Sequence, residues 1–135
     1  MNTENYCLLV DDDPEDQEIF INALQKISST TGCYAVSNGE EALRTLLEDN
    51  INPDYIFTDL EMPVMDGLNF LKTLRSIERF KDTRVIVLSS SFSARQIEKI
   101  RSFSVTGIYA KTREEGLKEI LKKYFTHSHK EQTIL

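Results

Sequence analysis

Short apolar runs alternate along the chain with stretches whose apolar residues recur at helical spacing. Tyr6–Val10 is a compact apolar run that stops at Asp11, Asp12 and Asp13. Behind it Ile19, Phe20, Ala23, Leu24 and Ile27 fall on one helical face, with Asp13-Pro14 as N-cap and first helical residue. A polar break over residues 28–32 leads to a short strand at 33–36, which Asn38-Gly39 ends; Ala42, Leu43, Leu46 and Leu47 then face one side of a second helix. Asn52-Pro53 introduces the apolar run Tyr55–Thr58, which stops at Asp59, and Gly67 opens a helix carrying Phe70, Leu71, Leu74 and Ile77. Residues 85–88 are four branched apolar side chains followed by three serines, and Ile97, Ile100 and Phe103 mark a weaker helix. Gly107–Ala110 reads as the last strand, and Leu117, Ile120, Leu121 and Tyr124 as the face of a terminal helix.

Five strand-helix repeats with continuously apolar strands predict a parallel sheet covered by helices on both faces. The fold class expected is therefore α/β, doubly wound, with ligands beyond the carboxyl ends of the strands. With 135 residues the chain is expected to form one domain over residues 1–125, followed by a polar C-terminal tail at 126–135. The balance of 22 acidic to 16 basic side chains, a formal charge of −6, argues against nucleic acid as a partner. No run reaches the ~20 apolar residues of a membrane span, and no basic-then-apolar leader is recognisable, so a cytoplasmic location is expected. Cys7 and Cys33 lack metal-ligand spacing and read as reduced packing residues.

The rule about strand ends selects a small set of polar residues. Strand one ends in Asp11 and Asp12, strand three in Asp59, strand four in Ser89 and strand five in Lys111. Carboxylates crowded at one sheet edge repel and call for a cation, and an all-oxygen donor set selects Mg²⁺, with Mn²⁺ as substitute. Asp59, single and central, suits a nucleophile toward phosphorus, while Asp11 and Asp12 suit metal ligation. Ser89 and Lys111 are placed to donate to phosphoryl oxygens. Taken singly, each has a plainer reading as a helix cap, a loop residue or a surface charge. Their joint occurrence at four strand ends favours the chemical one. His127 and His129 in the tail read as solvated.

Four segments carry a resemblance to a known family: LLVDDDP at 8–14, IFTDLEMPVMDG at 56–67, VIVLSSS at 85–91 and GIYAKT at 107–112. Together they resemble the receiver domain of two-component response regulators, of the stand-alone type. The resemblance implies a (βα)5 flavodoxin-like fold with strand order 2-1-3-4-5. It implies Asp59 as the phospho-accepting aspartate, Asp12 as the direct Mg²⁺ ligand and Asp11 as a ligand through water. Glu61 corresponds to the position that offers the metal a backbone carbonyl, and Ser89 and Lys111 to the switch hydroxyl and its lysine. Glu61 and Ser91 hold the positions that flank the water attacking the acyl phosphate.

The activity implied is catalysis of its own phosphorylation by a sensor histidine kinase or phosphotransfer protein, and of the later hydrolysis, with no external substrate. Output is expected through a downstream protein target or a homodimer. Ile97, Ile100, Phe103, Ile108 and Tyr109 lie on the elements such domains use for contacts, although burial is the plainer reading for most. Two departures stand out. Thr112 follows the lysine where the family usually has proline, and the strand-five aromatic is Tyr109 rather than residue 108, where Ile stands. A one-residue displacement in a strand moves a side chain to the other face, so Tyr109 is expected to be a packing residue. Two further classes stay open on the sequence: a metal-dependent aspartyl phosphohydrolase, and a flavin-carrying or phosphorylation-independent binding module of similar fold.

Overall fold

The computed structural model describes residues 6–125; the tail expected at 126–135, with His127 and His129, lies outside the described residues. Five strands, β1 (Tyr6–Val10), β2 (Gly32–Val36), β3 (Tyr55–Thr58), β4 (Arg84–Ser89) and β5 (Gly107–Ala110), alternate with five helices. The helices are α1 (Pro14–Ile27), α2 (Gly39–Glu48), α3 (Gly67–Ser76), α4 (Ala94–Arg101) and α5 (Glu114–Phe125). The strands form one parallel sheet in the order β2-β1-β3-β4-β5, as the resemblance implies.

Alternation along the strands divides the core in two. Leu8, Val10, Ile56, Val85 and Val87 pack on one side with Leu46, Phe70, Leu71, Leu74 and Ile100 from α2, α3 and α4. Cys7, Leu9, Phe57, Ile86 and Leu88 pack on the other with Phe20, Leu24, Leu117 and Leu121 from α1 and α5. Central strands are covered on both faces, which is why they read as unbroken apolar runs. The edges differ: Tyr34 on β2 is 51% exposed, and β5 is only partly buried. Ile108 packs with the α2–α4 layer and Tyr109 with the α1–α5 layer, as strand alternation requires. The Tyr109 hydroxyl pairs with that of Tyr124 at 2.7 Å. Of the residues considered for a contact surface, Ile100 is fully buried, while Ile97, Phe103, Ile108 and Tyr109 are partly covered.

Side chains cap the starts of four helices, the first at Asp13 as the sequence predicts. Asp13 caps α1, accepting from the Glu15 N–H at 2.9 Å, and Asn38 caps α2 through the Glu41 N–H. Asp66 caps α3 through the Asn69 N–H, and Ser93 with Gln96 forms a reciprocal capping box on α4. Ser89 is therefore not the cap of the helix that follows it. β4 runs one residue beyond the expected end, because Ser89 pairs with Ala110 and its carbonyl accepts the Lys111 N–H at 2.9 Å. β2 starts one residue early, at Gly32, and a 3₁₀ turn at Glu78–Phe80 buries Phe80 beneath α3 without a periodic signature to announce it. Cys7 and Cys33 are free thiols on paired strands in direct register. The hydrogen bond between the two thiols, together with burial, holds Cys7 above the usual thiol range, and the same hydrogen bond outweighs burial to hold Cys33 below it.

The loop between β3 and α3 makes a γ-turn, with Met65 N–H bonded to the Pro63 carbonyl at 2.8 Å around Val64 at φ 72°. A β-branched residue in that region is strained, and Val64 is 77% exposed, so its side chain gains little packing in return. Val64→Gly should raise the unfolding free energy by about 1 kcal/mol in urea denaturation; a decrease would show that the side chain makes a stabilising contact.

An acidic cleft closed by a lysine

The site is built at the carboxyl ends of β1, β3 and β5. β1 ends as Asp11 donates its backbone N–H to the Val36 carbonyl at 3.0 Å, and β3 ends as Asp59 N–H bonds the Val10 carbonyl at 2.9 Å. These neighbouring strands thus deliver Asp11 and Asp59 side by side, both buried, with Asp12 exposed beside them. Carboxylate oxygens of Asp11, Asp12 and Asp59 lie within 4.8 Å of one another. Three like charges so close repel strongly at the low effective dielectric of a half-buried cleft.

Lys111 opposes them. Its ammonium is 3.0 Å from Asp11 Oδ2, 3.1 Å from Asp59 Oδ2 and 2.8 Å from Asp16 Oδ2. Burial on its own would lower the lysine, but hydrogen bonds and charge from Asp16, Asp11 and Asp59 outweigh it and hold the ammonium well above the usual lysine range. Asp11 shows the reverse balance. Loss of water raises it above the ordinary carboxylate range, and the Asp13 N–H at 3.0 Å and Lys111 only partly counter this. Asp16 was not singled out in the sequence. Its one signal is position: it sits in the first turn of the helix that follows the aspartates, a place where acidic residues usually need no explanation.

Asp59 Oδ1 accepts the Leu60 N–H at 2.7 Å, which leaves Oδ2 toward the cleft and Lys111. The loop behind it is held by the Gly67 N–H donating to the Leu60 carbonyl at 2.7 Å. A Cβ at Gly67 would come within 2.3 Å of the Asp59 carbonyl oxygen, so glycine is required by close backbone approach. Ser89 is buried and donates its hydroxyl to the Ser91 carbonyl at 3.1 Å, within its own loop. Glu61 is exposed, and its carboxylate stands outside the Asp11–Asp12–Asp59 group. With Leu60, Met62, Pro63, Asp66, Leu68 and Gln96 it lines an open groove of about 410 Å³ beside the cleft. At the turn out of β5, the Thr112 side chain lies against Gly116 in the first turn of α5, where a Cβ would come within 2.3 Å of Thr112 Oγ1.

The family sequence model described as the response regulator receiver domain matches residues 7–125. The chain belongs to that family. Among its relatives, the receiver is 30% identical over 125 residues to the probable C4-dicarboxylate response regulator DctR of Bacillus subtilis, covering 91% of this chain and 53% of that protein. It thus spans about half the length of that relative. With the chemotaxis protein CheY of Pseudomonas aeruginosa it shares 31% identity over 119 residues, 87% of this chain and 94% of CheY. Its structure overlays on that of a phosphorylated cyanobacterial phytochrome response regulator, RcpA, with a TM-score of 0.83 and 25% identity, covering 92% and 93% of the two chains. Among the described residues no helix is long and apolar enough to cross a membrane.

The three-carboxylate group is all oxygen and convergent, which fits a hard divalent cation. Asp12→Asn should therefore raise thermal stability in chelator, by about 1 kcal/mol given the exposure of Asp12, and should reduce the stabilisation that added Mg²⁺ gives the wild type. Equal Mg²⁺-induced shifts in melting temperature for both proteins would remove Asp12 from the cation site. Gly67→Ala should cost about 2–4 kcal/mol in denaturant unfolding, because the clash is with backbone that cannot yield.

Proposed function

We propose that this receiver accepts a phosphoryl group on Asp59 from the phosphohistidine of a sensor histidine kinase or phosphotransfer protein, and signals through protein contacts that depend on it. One observation carries the reading: in a chain of this family, Asp59 Oδ2 faces a cleft in which two further carboxylates and one ammonium converge.

The chemistry follows from those groups. Asp59 Oδ2 attacks phosphorus, an O–P bond forms as the donor's N–P bond breaks, and the departing imidazole takes up a proton. Asp11, Asp12 and Asp59, with the Glu61 backbone carbonyl, would hold Mg²⁺ or Mn²⁺, which when bound supplies positive charge for the phosphoryl oxygens. Lys111, already 3.1 Å from Asp59, neutralises charge on the same oxygens. Ser89 leaves the Ser91 carbonyl and donates to the phosphoryl group, drawing the β4–α4 loop toward the cleft. That displacement reaches α4, the turn after it and β5, whose partly buried Ile97, Phe103 and Ile108 form the face offered to a downstream protein or a second copy. Tyr109 takes no part in the displacement, since its ring belongs to the opposite layer and its hydroxyl is held by Tyr124.

Intact mass after incubation with acetyl phosphate and Mg²⁺ tests the reading. The wild type should gain a phosphoryl adduct that is absent in chelator and absent from Asp59→Asn. An adduct of equal yield on Asp59→Asn, or none on the wild type, would overturn it.

A further inference from the structure

Asp16 is the nearest of the three carboxylates around Lys111, at 2.8 Å, yet it lies outside the group that converges on the cation position. Its place is fixed by the backbone. Asp13 and Pro14 set the start of α1, and Gln17, the residue after Asp16, donates its side-chain amide to the carbonyls of Asp11 at 2.6 Å and Val36 at 3.3 Å. The first turn of α1 is thereby tied to the ends of β1 and β2, and Asp16 is held against the lysine. A cavity of about 40 Å³ there is lined by Leu9, Ile19, Phe20, Leu88 and Leu117 together with Asp11, Asp16, Lys111 and Thr112, so the ion pair stands against apolar side chains.

One ammonium cannot serve these carboxylates and also make way for a divalent cation. Asp11 and Asp59 each offer Oδ2 to Lys111, and the same two residues belong to the cation group. A cation that draws those oxygens away would leave the lysine head with little water, its side chain being only 20% exposed. An uncompensated charge in that setting is costly. Asp16 removes the difficulty by keeping one carboxylate on the ammonium when the cation takes the other two.

We propose that Asp16 is a positioning residue that retains Lys111 on the α1 side of the cleft while Asp11 and Asp59 turn to the divalent cation, and that Lys111 must release Asp16 to meet the phosphoryl group. The inference rests on the cation role proposed for Asp11, Asp12 and Asp59.

Calorimetric titration with Mg²⁺ alone separates the two. Asp16→Asn should weaken Mg²⁺ binding by at least about threefold, the scale of a coupled charge pair, and Asp16→Glu should recover part of the loss. Asp16→Ser serves the same comparison should the asparagine variant fail to fold. In a Lys111→Met background the further change Asp16→Asn should alter affinity by less than about twofold, because the group that Asp16 acts through is gone. Unchanged affinity in both Asp16→Asn and Asp16→Ser would overturn the inference. So would an undiminished loss in the Lys111→Met background, which would make Asp16 a general negative charge. A wild type that binds no Mg²⁺ would instead sink the cation reading itself, and this inference with it.

Discussion

Carboxylates of Asp11, Asp12 and Asp59 are held within 4.8 Å of one another at the edge of a parallel sheet, and their mutual repulsion is the constraint around which the rest is arranged. It is sustained because Asp11 and Asp59 follow directly from two hydrogen-bonded central strands whose apolar residues are covered on both faces. The packing that stabilises β1 and β3 fixes where the charges go. Lys111, brought by β5, relieves the repulsion in part and is itself held charged by the acids it meets. A cleft left with excess negative charge is poised for a second, stronger cation.

The surroundings show the same coupling of backbone to charge. Gly67 lets the chain pass close to the Asp59 carbonyl, while Oδ1 is occupied by the Leu60 N–H and Oδ2 stays toward the cleft. The strained γ-turn at Val64 belongs to this tight return. On the opposite side, Gln17 ties α1 to two strand ends and so carries Asp16 to the lysine. The β4–α4 segment is different. Ser89 ends a buried strand and donates its hydroxyl within its own loop, and this is the contact that the proposed switch exchanges.

Much of the architecture was legible along the chain because helix and strand periods are local properties. Apolar runs of four or five residues named the strands, and Asp13-Pro14 and Gly67 marked helix starts within a residue. The displaced aromatic could be read too, since alternation sends Ile108 and Tyr109 to opposite layers. The 3₁₀ turn at Glu78–Phe80 could not, being too short to show a period. Nor could the contact between the thiols of Cys7 and Cys33, which depends on register between two strands.

The sequence by itself determined which residues stand at the strand ends, because a break from apolar to acidic or hydroxyl side chains is written into the chain order. Asp11, Asp12, Asp59, Ser89 and Lys111 follow from that alone. Only the tertiary structure decided which of them touch: that Lys111 reaches Asp11 and Asp59, that Ser89 turns to Ser91, and that Asp16, separated from Lys111 by most of the chain, is the lysine's nearest partner. The reason is physical. Burial and periodicity act over a few residues, whereas an ion pair is set by where two remote helices and strands are packed. A short acidic residue in the first turn of a helix looks ordinary until that packing places a cation beside it.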